Sequence, residues 1–278
     1  MSETFTINGR ALGEFAAGVE DYSFLLATPG RRGENVVVPG RNGVIRTPRK
    51  RWDALDLQIP LWVKGLDPDT GLVPTDPVSQ LHANVKALLL EVSGETVTLG
   101  HTLDDGTNVQ AVAELALDPT VFTRARSAPP LARVNLALTV PEAFWFDTDT
   151  VTHTITGSTG TSSSLDEFVG SSALMSDLTI TWGPCNNPQV SVGERYVKYG
   201  GVVSSGRQLV INTGNWTVST GTGDAWSPDM RLVEFGPSAG RWFELDPTAN
   251  PFEATITHTG GGSATCTIAG RRAYLFAA

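Results

Sequence analysis

Two cysteines, Cys185 and Cys266, and four histidines are the whole supply of thiol and imidazole groups in this chain of 278 residues. Two thiols are too few for a disulfide framework or a cysteine-built zinc site. Cys266 alternates with Ile268 in a short apolar run, as a small core residue does. His82, His101, His153 and His258 are scattered, with no second ligand at metal spacing and no local triad. The chain lacks a Gly-x-x-x-x-Gly-Lys-Ser/Thr loop to cradle phosphates, a Gly-x-Ser-x-Gly nucleophile elbow and a His-Glu-x-x-His helix. No apolar run approaches the length of a membrane span, and residues 1–7 lack the basic-then-apolar layout of a signal peptide. The expectation is a chain made and kept in a cytoplasm, with no cofactor, no metal and no enzymatic activity.

Basic residues are also in short supply. Lysine and arginine number 20 against 29 acids, a net charge of −9. The deficit is spread along the chain: residues 1–150 hold 13 basic and 19 acidic side chains, and residues 151–278 hold 7 and 10. General binding of nucleic acid needs clustered cations to displace counterions, so such a chain repels a passing duplex.

What the sequence does contain is glycine, threonine, recurrent proline and short apolar alternations, the composition of many strands joined by tight turns. The clearest strand spans residues 55–63. Leu55, Leu57, Ile59, Leu61 and Val63 alternate with polar residues, and Pro60 is expected to mark an edge or a bulge, because it has no N–H for a ladder. Further strands are expected at 4–7, 22–27, 35–39, 44–46, 96–99, 109–117 and 134–140, with Asn42-Gly43 turning a hairpin. One helix is predicted over 76–93. Asp76 is its N-cap, Pro77 its first residue and Gly94 its stop, with an apolar stripe through Val78, Leu81, Val85, Leu88, Leu89 and Val92.

Before that helix, residues 65–75 form a loop longer than a compact domain requires, a trait of contact arms and mobile segments. Its Asp67-Pro68-Asp69-Thr70-Gly71 run superficially resembles a calcium loop. It has no acid at the twelfth position, where Val78 stands, and is read as an ordinary turn. Residues 147–164 are polar and rich in Gly, Ser and Thr, and are expected to be a linker or the edge of a second domain. Beyond them, nine short strands without a helix predict a β-sandwich or jelly roll. The two domains are placed at 1–148 and 149–278.

Two clusters bear on function. Arg31, Arg32, Arg41, Arg46, Arg49, Lys50 and Arg51 crowd a window whose only acid is Glu34. On an acidic protein such a strip pairs with an acidic patch on a neighbouring copy, a head-to-tail contact that closes into a ring when the rotation allows. Arg41, Arg46, Arg49, Lys50 and Arg51 are therefore the subunit-interface candidates. In the second half, Trp182, Trp216, Trp226 and Trp242, with Tyr196 and Tyr199, are weighed as aromatic platforms against core filling; Trp182 and Trp242 read as core. Trp226, on a turn, and Tyr196 are candidates for a carbohydrate or partner contact. The acids Asp229, Glu234, Glu244 and Asp246 are available for glycoside hydrolysis, but acids on a sandwich usually sit on its solvated faces.

The order of these elements resembles the distal tail (Dit) proteins of siphophages. The resemblance rests on Gly40-Arg41-Asn42-Gly43 ahead of an Arg-led strand ending Trp62-Val63-Lys64-Gly65, and on the capped helix 76–93. It continues with an Arg-x-Arg loop at 124–126, Pro141-Glu142-Ala143-Phe144-Trp145-Phe146, and the Asn-Pro strand entry in residues 184–190. It implies a mainly β fold: an N-terminal ring-forming β-sandwich or split barrel with one α-helix, followed by a galectin-like β-sandwich. It also implies a structural virion protein of the tail tip, assembled in the bacterial host cytoplasm. Its copies form a hexameric ring that joins the tail tube protein to the baseplate hub and lets DNA pass without specific binding. A carbohydrate-binding adhesion module, engaging host-surface sugar, is the alternative, and a glycoside hydrolase accessory is third.

Overall fold

The computed structural model describes residues 5–32, 36–37, 44–45, 51–124, 128–222, 225–236, 243–260 and 262–277, with backbone alone at 36, 37, 44, 45, 51, 225 and 226. The fold is mainly β with one α-helix among the described residues. By contacts it divides into two compact units, Met1–Phe146 with Leu275–Ala278, and Asp147–Tyr274.

The first unit is built on the Leu55–Lys64 strand, whose alternation is carried through: Leu55, Leu57, Ile59, Leu61 and Val63 are all at most 1% exposed. It pairs along its whole length with Leu131–Val140, from Leu55 opposite Val140 to Lys64 opposite Leu131, without a register break. On its other side Ala17–Val19 pairs with Leu61–Val63. The strand is therefore interior, and Pro60 neither marks an edge nor bulges. The Pro60 carbonyl accepts from Glu20 N at 2.9 Å. In an antiparallel ladder a residue's N and O point the same way, so the missing N–H faces the place where the short partner strand has already ended.

Helix Pro77–Val92 lies on the buried face of this sheet and presents Leu81, Val85, Leu88 and Val92 to it. Asp76 caps it by accepting from Ser79 N at 3.1 Å, and Pro77 occupies the first turn, where no N–H is needed. The helix also buries a polar group. Asn84 donates to the carbonyls of Lys64 and Leu66 at 2.9 and 2.8 Å and accepts from Gln80 at 2.9 Å, so its amide is satisfied where it is buried.

Two expectations are corrected here. Residues 22–27 do not form a strand. Tyr22–Leu26 is a 3-10 helix, because Asp21 accepts from Ser23 N and closes the turn, while Phe24 and Leu25 still reach the core. The strand expected to end at residue 117 runs from Asn108 to Arg124, through Pro119. Its ladder with Leu131–Val140 shifts register between Leu115 and Leu117 and again between Leu117 and Thr120. Pro119 sits inside the second irregularity, where the missing donor is tolerated. The hairpin Val36–Val37 with Val44–Ile45 forms in antiparallel register; its turn lies outside the described residues.

The second unit holds two six-stranded sheets. One runs Val151–Gly157, Ala264–Gly270, Leu178–Trp182, Gln208–Asn212, Thr217–Thr222 and Ala225–Pro228 in spatial order. The other contains Thr161–Ser164, Glu253–Thr259, Cys185–Val192, Arg195–Tyr199 and Val233–Gly236, with Val202–Val203 beside Cys185–Val192. Their strands pair antiparallel, some with sequence neighbours and others with the distant residues 253–270, as in a sandwich. Ile155, Ile180, Trp182, Ile211, Cys266 and Ile268 are buried from the first sheet, and Val190, Val197, Tyr199 and Ile256 from the second. The polar stretch 147–164 is not a bare linker: Val151–Gly157 and Thr161–Ser164 add a strand to each sheet, and Thr154 and Thr156 bond across to Thr267 and Thr265. Threonine suits such half-exposed strands, and composition alone concealed that.

Candidate functional site

The basic window folds back partly upon itself. Arg31–Arg32 pairs antiparallel with Arg51–Trp52. The Arg31 guanidinium lies 3.3 Å from the centroid of the Trp52 ring. Arg32 holds Asp53 at 2.7 Å, and that contact, followed by the Ala54 N–H, keeps the Asp53 carboxyl below its usual range. Two of the seven cations are thus engaged within the chain. Arg41, Arg46, Arg49 and Lys50 lie outside the described residues, and Arg51 is described only as backbone in a strand.

In the second unit, Tyr196 pairs across the sheet with Gly236, and its ring occupies the space where a Cβ on Gly236 would sit, 1.8 Å from Cε1. It fills a gap left by glycine. Trp226 is opposite Gly221 in a strand, with its side chain outside the described set. Trp182 is buried, as its alternation predicts; Trp242 lies outside the described residues. Trp216 is the remaining tryptophan among the aromatic platforms of this half. It is 59% exposed at a hairpin turn with φ of 60°, held by Asn212 accepting from Asn215 N.

The acids weighed for hydrolysis are tied to cations. Arg195 reaches Glu244 at 3.0 Å and Asp246 at 3.5 Å, Lys198 reaches Glu234 at 3.6 Å, and Asp229 accepts from Tyr199 and faces Arg231 at 3.7 Å. Among the histidines, His153 Nδ1 sits 2.7 Å from Glu167 and His258 Nε2 lies 3.3 Å from Gly157 O. Burial pushes the His101 pKa down, and His82 stands exposed on the helix. Cys266 is fully buried and its thiol is pushed far up; Cys185, half-buried, is pushed up to about 11. Neither environment activates a thiol. Among the described residues there is no group of three His, Cys, Asp or Glu positioned for a metal, and no helix long and apolar enough to cross a membrane.

The first unit instead presents surfaces suited to association. Strand Val97–Thr102 lies between Thr6–Ile7 and the long strand and meets the latter only over Asn108–Ala113, so among the described residues the long strand loses that neighbour beyond Ala113, while it pairs with Leu131–Val140 on its other side. A strand edge of this kind is a template for another chain. Its far half carries Leu117 at 68% and Phe122 at 60% exposure. Beside it, helix Pro77–Val92 leaves an open groove of about 510 Å³ lined by Lys86, Leu89, Leu90, Val121 and Thr123. On the sheet face away from the helix, Pro60, Asn135 and Thr120 stand in a row across three strands, with Gln58 next to them.

No family model and no curated protein matches the sequence. The fold does have a match. The crystal structure of the SPP1 Dit protein (gp 19.1), described as a paradigm of hub adsorption apparatus in Gram-positive infecting phages, superposes with a TM-score of 0.65 at 12% identity. The match covers 96% of this chain and 98% of that one. The chain therefore has a Dit-like distal tail protein fold.

Proposed function

We propose that this chain is a structural subunit of a phage tail tip, a Dit-like protein that acts by assembling with its own copies. The observation that carries this reading is the end-to-end likeness of fold to a hub protein across nearly the full length of both chains. A shared sandwich alone is weak ground for function; a shared succession of two units is stronger. In this reading six copies form a ring through the first unit, and the ring joins the tail tube protein to the baseplate hub in the virion. The second unit is a galectin-like sandwich carried by the ring.

The half of the Asn108–Arg124 strand that runs past its Val97–Thr102 neighbour and the basic strip around Arg41, Arg46, Arg49, Lys50 and Arg51 support self-association, one by offering a strand edge and the other by offering charge. The row of Pro60, Asn135 and Thr120 supports a wall past which DNA slides, since neutral side chains give phosphates nothing to grip and the net charge of −9 repels them. Asp229, Glu234, Glu244 and Asp246 each face a cation, which supports a role without hydrolysis. Sedimentation of the purified chain tests the proposal. The expected species is a fixed multiple of 29.6 kDa that reversing Arg49, Lys50 and Arg51 to Glu dissociates; a 29.6 kDa species at every concentration would overturn it.

A further inference from the structure

The loop between the central strand and the helix is fixed at both base and tip. At the base, Gly65 N donates to Pro130 O at 2.9 Å and Asn84 holds the Leu66 carbonyl. At the tip, Asp67 accepts from Asp69 N at 2.9 Å, its carbonyl accepts from Gly71 N at 2.8 Å, and its own N–H donates to Leu72 O at 3.0 Å. Gly71, at φ of 69°, allows the reversal. This tied turn displays Leu72 and Val73, 68% and 61% exposed, next to an exposed Asp69. Two adjacent aliphatic side chains held in water by an ordered turn form a surface built for contact, since their order costs entropy that no internal burial offsets.

The complementary surface lies on the same unit. The groove beside the helix is apolar at its floor, through Leu89, Leu90 and Val121, and its rim carries Lys86, exposed and in no ion pair among the described residues. Asp69 likewise has no ion pair among the described residues. Apolar knob with acid therefore matches apolar groove with base.

We infer that the Leu72–Val73 tip of one copy seats in the helix groove of the next copy, with Asp69 against Lys86. The inference rests on the self-assembly proposed above and names the surfaces that carry it. Because knob and groove are different patches, the contact is heterologous and repeats head to tail, the form that builds a ring when its rotation closes. Binding by a preformed turn avoids the cost of ordering a loop at the moment of contact.

The test uses full-length chain in a Cys185→Ser background, with Leu72→Cys in one preparation and Leu90→Cys in another. Mild oxidation of the mixture is expected to give a disulfide-linked dimer that neither preparation yields alone. A second arm replaces Asp69→Lys, expected to weaken association about tenfold, with recovery when Lys86→Asp is added. A multimer that sediments normally but gives no 72–90 link, or links 72 to 72, overturns the loop-in-groove contact and leaves the ring standing. A chain that stays a single subunit throughout overturns both.

Discussion

A Cβ added to Gly65 would lie 2.1 Å from the carbonyl oxygen of Pro77, and 3.3 Å from the Cβ of Leu81. The end of the central strand and the first turn of the helix are thus in backbone contact, and only glycine permits it. Both partners are main chain or fully buried, so neither yields cheaply. Gly65→Ala is expected to lower stability by about 2–3 kcal/mol, the range for overpacking a tight site. Urea denaturation of the two proteins, compared at unchanged m-value, measures it.

The helix is tied to the same strand end by Asn84, which spans the carbonyls of Lys64 and Leu66. Removing the amide leaves two carbonyls without their donor in a part-buried site. Asn84→Ala should therefore cost about 1–3 kcal/mol. Gln80→Ala, which removes only the outer bond to the amide oxygen, should cost less, and a double-mutant cycle should show coupling between the two.

How legible this was in the sequence depends on the element. Wherever burial follows a strict period, as in Leu55 to Val63 or along the helix from Leu81 to Val92, the residues stated their own positions. The capped helix start was readable because Asp76 and Pro77 each have one favourable place. The long strand past Leu117 was hidden, since its extent depends on a partner strand that arrives after the turn and props up Pro119. The strands in 151–164 were hidden by their threonines and serines, which pair across sheets as well as they solvate loops. The candidate assembly surfaces divide in the same way. The loop at 65–75 stood out by its length. The groove did not, because it forms only where Val121 and Thr123 of the long strand come beside the helix.

A buried cluster in the second unit gives a third prediction. Asp147, 3% exposed, accepts from Arg272 Nε at 2.7 Å and from the Tyr274 hydroxyl at 2.8 Å. Asp147→Ala removes the acceptor that the guanidinium and the phenol share at a buried position, a loss expected to cost about 1–3 kcal/mol. Thermal unfolding of the variant is expected to show a lowered midpoint, with far-UV circular dichroism of the folded state unchanged.

Alkaline pH should weaken the fold in a defined window. Burial raises the Cys185 thiol from 9.0 to about 11. Burial, then the hydrogen bond and charge of Asp229, raise the Tyr199 phenol from 10.0 to about 12. Each group keeps its proton in the folded chain at a pH where the unfolded chain has lost it, so the unfolded state binds fewer protons and stability falls as pH rises. The contribution is whole below pH 9 and is lost progressively through 11 and 12. Urea midpoints taken from pH 8 to 12 should fall across that window, and Cys185→Ser with Tyr199→Phe should flatten the decline.

The central claim, that the chain works by joining its own copies around an opening, is tested most directly by negative-stain imaging of the purified protein at its assembled mass. The account predicts annular particles with a central hole and a fixed number of repeated lobes. A field of isolated single-subunit particles, unchanged as concentration is raised, would contradict it.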